Sequence, residues 1–139
     1  MFPRALLGLL SATALAVAGL ILPAASHAEP PLHHVKYTIF SEQPYYVNIY
    51  YRDVDPPNWA EYSHNPYKFS PKVEADVGPD QQWNLDVMLA DPDRWAMVTV
   101  SVAGESTQTP NIHCVLAVDG VVVKTHQGPK GALCSIRSW

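Results

Sequence analysis

Residues 112–125 read IHCVLAVDGVVVKT, and this stretch decides the fold that the sequence predicts. Apolar residues alternate along it up to Val118, and a second valine-rich run begins at Val121. The dipeptide Asp119-Gly120 between the two runs is typical of a two-residue β-hairpin turn, because both residues tolerate positive φ. The stretch therefore predicts an antiparallel pair of strands in which Val118 lies opposite Val121.

The same period of two residues recurs along the rest of the chain. β-branched and aromatic residues alternate with others in further runs that are bounded by Pro, Gly, Asn or Asp, as in strands. No stretch after residue 28 has a helical period over a dozen residues. The pattern predicts an immunoglobulin-like antiparallel β-sandwich of about seven or eight strands, with a small β-barrel as the alternative. These runs cover residues 35–39, 47–51, 83–89, 98–102 and 132–137.

The composition excludes several classes of function. The 139 residues include 13 Asp+Glu and 9 Lys+Arg, for a formal net charge of −4. Lys and Arg form no run, so the sequence lacks the charge that neutralises nucleic-acid phosphates or attaches a protein to an anionic membrane. We therefore expect no nucleic-acid partner, and membrane contact only through an uncleaved amino-terminal segment. With 47% hydrophobic residues, the chain is not a disordered acidic tail.

Residues 1–28 have the layout of a secretory signal peptide. One basic residue precedes an uncharged apolar run over residues 5–22, and small residues lead to a cleavage site between Ala28 and Glu29. The alternative is a retained single-pass anchor, because such a run rises about 27 Å as a helix, close to the thickness of a bilayer core. We thus expect one β-sandwich domain over residues 29–139 that is secreted or lies in the periplasm or cell envelope.

Cys114 and Cys134 are the two cysteines of the chain. An oxidising compartment pairs cysteines, and both residues fall on the inward face of their predicted strands. We predict a structural disulfide that closes a loop of about 21 residues and stabilises the fold by roughly 3 kcal/mol. The sequence contains no G-x-S-x-G, H-E-x-x-H or C-x-x-C motif and no Gly-rich phosphate loop. We therefore expect neither enzymatic activity nor a cofactor.

Two pairs of carboxylates have the spacing of candidate acid and base groups. Asp53 with Asp55, and Asp91 with Asp93, lie two residues apart, so the members of each pair share a face if their strands extend that far. Both pairs adjoin prolines, however, and Asp in such positions favours turns through side-chain hydrogen bonds. We interpret all four as turn residues.

His113 and His126 are the candidates for a metal site. They lie on the two strands of the predicted hairpin and face each other if its ladder is unbroken, since Val118 faces Val121. A cross-strand histidine pair with a nearby carboxylate can bind a divalent metal. More often such a pair is simply two exposed imidazoles, so we predict no metal site and keep these two residues as the candidates for a metal or small-ligand carrier.

Residues 45–69 form the most aromatic stretch, YYVNIYYRDVDPPNWAEYSHNPYKF, with six tyrosines, one tryptophan and one phenylalanine. Some of these rings lie on the outward face of a strand and others in a Pro-rich loop. Exposed aromatic residues held by a rigid sandwich suit the binding of a lipid, a sugar or a protein. The alternative is a second small hydrophobic cluster that attaches the loop to a sheet. The residues predicted to form the binding surface are Tyr46, Tyr50, Trp59, Tyr62 and Tyr67.

A series of short motifs follows a fixed order over roughly residues 34–137. Trp83 precedes an alternating strand, and Cys134 closes the series. The other motifs are VKYTIF at 35–40, IYYRDVD at 49–55, VTVSV at 98–102, IHC at 112–114 and VDG at 118–120. Together they resemble the exported domain of the mycobacterial MmpS membrane-protein family.

This resemblance implies a β-sandwich with one disulfide, which matches Cys114 and Cys134. It also implies accessory work beside MmpL-type RND transporters, which export envelope lipids and siderophores. The chain departs from the family in its cleavable leader and in residues 56–74, which are longer and more aromatic than the family pattern. We expect a non-enzymatic secreted or envelope-anchored accessory protein, or alternatively a free extracellular module that binds a ligand or a partner without a transporter.

Overall fold

Eight strands make up about half of residues 30–138, the part of the chain that the structure, a computed structural model, describes. Two short α-helices, α1 (Trp59–His64) and α2 (Pro92–Trp95), and one 3-10 helix (Pro66–Phe69) lie between the strands. The strands are β1 (His33–Ser41), β2 (Tyr45–Tyr51), β3 (Lys72–Val77), β4 (Trp83–Leu89), β5 (Met97–Val102), β6 (Ile112–Val118), β7 (Val121–Gly128) and β8 (Gly131–Ser135).

The strands form two antiparallel sheets, one with the order β4-β1-β6-β7 and the other with the order β3-β2-β5-β8. Two separate four-stranded sheets that enclose a common core make a sandwich, so the predicted fold class is confirmed and the barrel alternative is wrong. The sequence analysis did not identify the edge strand β3, although Val73, Ala75 and Val77 alternate with charged residues along it.

The core lies between the sheets and is built from alternate residues of the central strands. Val35, Tyr37 and Ile39 of β1 are fully buried, and so are Val47 and Ile49 of β2. Burial of one such side chain stabilises the folded state by roughly 1.5–3 kcal/mol. The period of two residues in the sequence therefore identified the inward face of each central strand.

The predicted hairpin turn connects β6 and β7. Asp119 has a φ of 50° and Gly120 a φ of 80°, which is the left-handed region that this turn requires. Val118 pairs with Val121 as expected. Beyond that pair the ladder is interrupted by a β-bulge.

The bulge consists of one extra residue, Val123, in β7. Ala117 pairs with Val122, but Leu116 pairs with Lys124, so Val123 has no partner across the ladder. The insertion shifts the register by one residue along the remainder of β7. All of β7 except its last residue is exposed, so no buried residue in the sequence marks this shift.

The predicted disulfide joins the two sheets. Cys114 of β6 and Cys134 of β8 are bonded, with their Cα atoms 6.0 Å apart, and both side chains are buried. The prediction is confirmed. Because β6 belongs to one sheet and β8 to the other, the bond links the two layers of the sandwich covalently.

No helix within residues 30–138 is long and apolar enough to cross a membrane. The two α-helices have six and four residues, which is too short to give a helical period in the sequence. The predicted leader and the cleavage site between Ala28 and Glu29 lie outside the described residues.

Candidate functional site

A buried arginine lies at the centre of the aromatic stretch. Arg52 directly follows β2 and is 0% exposed. Its Nε donates a hydrogen bond to the carbonyl of Trp95 at 3.1 Å, and its Nη1 donates to the carbonyl of Phe69 and to Ser70 Oγ, each at 3.1 Å. Hydrogen bonds from a charged donor are stronger than neutral ones, so Arg52 firmly connects α2 and the 3-10 helix to the end of β2.

Tyr37 fixes the backbone of this arginine. Its hydroxyl donates to the carbonyl oxygen of Arg52 at 2.7 Å and accepts from the amide of Met97 at 3.3 Å. Burial raises the pKa of Tyr37 well above its usual range, so the hydroxyl stays protonated and keeps donating. Since Tyr37 lies on β1 and Met97 on β5, this one hydroxyl connects the two sheets.

Two of the predicted surface residues pack into this cluster: Tyr62 lies against Arg52, and Trp59 stacks on Trp95. The guanidinium carbon lies 4.5 Å from the ring centroid of Tyr62 and 5.8 Å from that of Trp95. The ring of Trp59 lies 5.3 Å from Tyr62 and 6.5 Å from Trp95. We call Arg52, Trp59, Tyr62 and Trp95 the Arg52 junction. Trp59 and Tyr62 thus form a packed cluster that attaches the loop to a sheet, which was the alternative to a binding surface.

Residues of β2, of β5 and of the connection between β2 and β3 line a groove of about 410 Å³. Tyr50 lies on its floor, on the outward face of β2 opposite Thr99 of β5. The 3-10 helix forms the wall, where Tyr67 is 79% exposed. None of the lining side chains has a formal charge at neutral pH. We call this the Tyr50–Tyr67 groove, and its lining residues are Tyr50, Pro66, Tyr67, Ser70, Met97 and Thr99.

The wall of the groove is held in place by the Arg52 junction. Ser70 lines the groove and at the same time accepts the hydrogen bond from Arg52 Nη1. Pro66 begins the 3-10 helix, where its fixed φ suits the first helical position. The sequence did not identify Ser70, Met97 or Thr99 as site residues, because they become neighbours of Tyr50 only through strand pairing and loop packing.

Tyr46 lies apart from both groups. It is 44% exposed on the same sheet face as Tyr50, but it does not line the groove. Its hydroxyl donates to Glu74 Oε2 at 3.0 Å, and this hydrogen bond to a carboxylate raises the pKa of Tyr46. The five predicted residues thus divide into a groove pair, a junction pair and a single surface tyrosine.

The two candidate metal ligands do not face each other, because the unbroken ladder that their pairing requires is interrupted by the bulge. His113 pairs with Gln127, and His126 pairs with Cys114, because the bulge shifts the register by one residue. Directly opposed residues point to one face of a sheet, so His126 shares the face of Cys114 and not that of His113. Within residues 30–138, no three His, Cys, Asp or Glu side chains come together as a metal site.

Each of these two histidines has its own structural contacts. The ring of His113 stacks on Phe40 with a centroid distance of 4.6 Å, and its Nε2 lies 3.6 Å from Glu42 Oε1. Nδ1 of His126 accepts a hydrogen bond of 3.1 Å from the amide of Leu133 in β8. His126 therefore helps to connect the edges of the two sheets.

Asp91 makes the local hydrogen bond that the turn interpretation predicts, whereas Asp55 binds a segment that is distant in the sequence. The carboxylate of Asp55 accepts from the amides of Ala90 at 2.7 Å and Asp91 at 2.9 Å. Asp91 caps the start of α2 through a hydrogen bond from the amide of Arg94 at 3.3 Å. These carboxylates fix the connection between β4 and β5.

A disulfide-linked β-sandwich with an uncharged aromatic groove is the class of domain that this fold and site define. The family model of the Rv2576c beta-sandwich domain matches residues 37–134, which include the whole groove and both cysteines. The chain belongs to this family.

Two mycobacterial relatives support this assignment. The chain is 34% identical over 119 residues to the uncharacterized protein Rv2576c of Mycobacterium tuberculosis and to the uncharacterized protein Mb2606c of Mycobacterium bovis. In both cases the alignment covers 86% of this chain and 76% of the relative. The chain is therefore similar to these relatives over most of the length of each.

Proposed function

We propose that the chain is a non-enzymatic binding module that holds an apolar or amphipathic molecule of the cell envelope in the Tyr50–Tyr67 groove. The observation that carries this proposal is the 79% exposure of Tyr67 on the wall of a concave, uncharged surface. An aromatic ring in this position adds little to the stability of the fold, but it offers a large contact area to a ligand. Small-molecule sites are typically concave and mostly apolar, with a few polar groups.

The groove is built on a rigid base, which favours binding. Tyr50 and Thr99 lie on neighbouring strands in the middle of one sheet, and Arg52 fixes the wall. A preformed site loses little conformational entropy when the ligand binds. The scaffold therefore supports contact with a ligand without a large rearrangement.

The lining residues indicate the chemistry of the ligand. Rings and the Met97 side chain suit an acyl chain or a flat ring system, while the hydroxyls of Tyr50 and Tyr67 can hydrogen-bond to ester or amide oxygens. An uncharged surface gives no advantage to a strongly ionic ligand. Envelope lipids and siderophores with apolar tails combine these properties.

We also propose the accessory role that the resemblance to the MmpS family implies, in which the chain assists an MmpL/RND-type transporter. Three points support it: the order of the motifs over residues 34–137, the mycobacterial relatives, and a disulfide that suits an extracytoplasmic compartment. On this proposal the chain contacts a lipid or siderophore beside the transporter and performs no chemistry on it.

The groove proposal is tested by fluorescence titration of the full chain with a fluorescent fatty acid. We expect Tyr67→Ala to weaken binding about tenfold, or roughly 1.4 kcal/mol, because the most exposed ring of the groove is lost. Tyr46→Ala is the control, since it removes an exposed tyrosine ring from the sheet face that bears Tyr50 but outside the groove. Equal binding by both variants and the unchanged chain would overturn the groove proposal.

The accessory role is tested separately by purifying the tagged chain from mycobacterial membranes. A co-purified RND-type transporter that disappears when residues 1–28 are deleted supports the role. A protein found in the culture filtrate as a species beginning at Glu29, with no transporter attached, would instead support the free extracellular module. Intact mass under non-reducing conditions distinguishes these two forms.

A further inference from the structure

The end of the β6–β7 hairpin presents three consecutive valines to solvent. Val121, Val122 and Val123 are 63%, 58% and 43% exposed, and we call these three residues the valine tip. Successive residues of a strand point to opposite faces, so the tip is apolar on both sides of the hairpin. An exposed apolar patch of this kind marks a site of contact with a membrane or with another protein.

The backbone of β7 does not offer a regular edge to another strand. Val123 is the extra residue of the bulge, and such bulges interrupt the ladder that an added strand would need. From Lys124 onwards, β7 runs beside β8, where the amide of Leu133 donates to His126 Nδ1. A partner that binds at this edge therefore contacts the side chains of β7, and does not add a strand to its backbone.

Two cations accompany the tip, Lys124 and Arg137, although the protein as a whole is acidic and the turn beside the tip carries the carboxylate of Asp119. Residues 121–138 contain Lys124, Lys130 and Arg137 but no Asp or Glu. Lys124 and Arg137 line the same cleft of about 270 Å³. These cations are far apart in the sequence, which is why composition predicted no membrane-binding patch, and the fold brings two of them together.

An exposed indole lies next to this cleft. The guanidinium carbon of Arg137 is 4.3 Å from the ring centroid of Trp59, which is 47% exposed. Tryptophan and arginine side chains place an apolar body and a polar end at the boundary between lipid and water. Asp91 and Asp93 border Arg137 on another side, so the charge attraction is modest and the apolar tip has to contribute.

The chain also enters the domain beside the valine tip. His33 is the first residue of β1, and its Nδ1 lies 2.6 Å from Asp119 Oδ2 in the hairpin turn. The ten residues 23–32 separate the apolar run of the leader from β1, and an extended segment of that length reaches at most about 35 Å. An anchor formed by the leader would keep this end of the sandwich close to the bilayer.

We propose that the valine tip inserts into the surface of an anionic phospholipid bilayer. Val121, Val122 and Val123 enter the acyl region, Lys124 and Arg137 contact lipid phosphates, and Trp59 lies at the level of the headgroups. This docking surface is separate from the Tyr50–Tyr67 groove and goes beyond the proposed binding function. It orients the domain on the membrane whether or not the groove is occupied.

Hydrogen exchange tests the proposal on the full chain, mixed with vesicles of phosphatidylcholine alone or with added phosphatidylglycerol. We expect amides 119–125 to exchange several-fold more slowly with the anionic vesicles than with the neutral ones. Amides of β3, on the other sheet, serve as the internal control and should not change. Because the leader carries Arg4 and itself responds to lipid charge, the surface variants below assign the protection to the domain.

Two pairs of variants sharpen the test. The double variant Val121→Ser/Val122→Ser should lose the protection, whereas Met88→Ser should keep it, because Met88 is 48% exposed on β4 at the opposite edge of the same sheet. Lys124→Glu should reduce the protection by anionic vesicles more than Lys36→Glu does. All five positions are exposed, so the fold should tolerate the changes.

Three outcomes would overturn the proposal. The first is equal exchange at residues 119–125 with and without vesicles. The second is protection that rises with protein concentration in the absence of lipid, which would assign the tip to contact with a second copy. The third is equal protection by polyglutamate in place of vesicles, which would assign the surface to an acidic protein segment.

Discussion

The Arg52 junction and the Tyr50–Tyr67 groove both take tyrosines from the aromatic stretch 45–69, but these rings differ in what they contact. Tyr62 lies with its ring centroid 4.5 Å from the guanidinium carbon of Arg52, whereas Tyr67 is 79% exposed. The two tyrosines are only five positions apart in the chain. Aromatic content therefore does not by itself locate a binding surface, and the position of a buried cation decides which rings become structural.

Replacement of Arg52 should lower the free energy of unfolding more than any other change considered below. Arg52→Ala removes three hydrogen bonds and leaves the buried carbonyls of Trp95 and Phe69 without that donor. We expect a loss of roughly 3–5 kcal/mol in the free energy of unfolding, measured by urea denaturation. Lys36→Ala, at an exposed position, should change it by less than about 0.5 kcal/mol. A loss below about 1 kcal/mol for Arg52→Ala would mean that the junction is not the main support of the loop.

Removal of the disulfide should cause the second largest loss of stability. Cys114→Ala/Cys134→Ala opens a link between residues 20 positions apart, and the chain-entropy estimate gives a loss of about 3 kcal/mol. The bond joins β6 and β8, and neither cysteine lines the groove. We therefore expect lower stability but unchanged affinity for the fluorescent fatty acid at temperatures where the variant is folded. Weaker binding in the folded variant would show that the groove depends on the whole sandwich.

Separate truncation of the two tyrosines should sharpen the comparison directly. Tyr62→Ala loses contacts with Arg52 and Trp95, so we expect a loss of about 1–2 kcal/mol in stability and little change in ligand affinity. Tyr67→Ala should show the reverse, with less than about 0.5 kcal/mol lost in stability and weaker binding. Parallel denaturation and titration of both variants measure these effects. If both lose stability equally, the distinction between junction and groove fails.

The smallest effect on stability should come from Tyr46, the tyrosine that belongs to neither the groove nor the junction. The hydrogen bond to Glu74 raises the pKa of Tyr46 above its ordinary value of 10.0. A group whose pKa is raised by folding contributes stability below its unfolded pKa and loses that contribution as the pH rises through its folded pKa. Spectrophotometric titration should thus find one tyrosine that ionises at higher pH in the unchanged chain than in Glu74→Ala. Tyr46→Phe should be slightly less stable near neutrality, and this difference should vanish at high pH.

The central strands, the hairpin turn and the disulfide could be predicted because they leave local signals in the sequence. Buried residues at every second position mark β1, and Asp119-Gly120 marks the turn. The bulge left no such signal, because β7 is almost wholly exposed and one extra residue moves nothing into or out of the core. That single shift separates His113 from His126, which an unbroken ladder would have paired.

The candidate site could be predicted only in part, since its geometry depends on contacts between distant residues. Tyr50 and Tyr67 were recognised as aromatic and accessible. Which rings line the groove and which pack on Arg52 could not be decided, however, without knowing that Arg52 is buried. A charged residue at the end of a strand is usually exposed, and nothing local indicates that this one is buried. Its hydrogen bonds reach residues up to 43 positions away, which no sequence pattern encodes.

The position of β1 also determines how the domain would carry a mechanical load. This strand forms seven residue pairs with β4 and seven with β6, and it lies between them. A pull on His33 along the strand would load both ladders in shear, so many hydrogen bonds would have to break together rather than one after another. Tension passed to β6 would then reach β8 through the bond between Cys114 and Cys134. A domain tethered at this end would thus resist extension through two ladders and one covalent link.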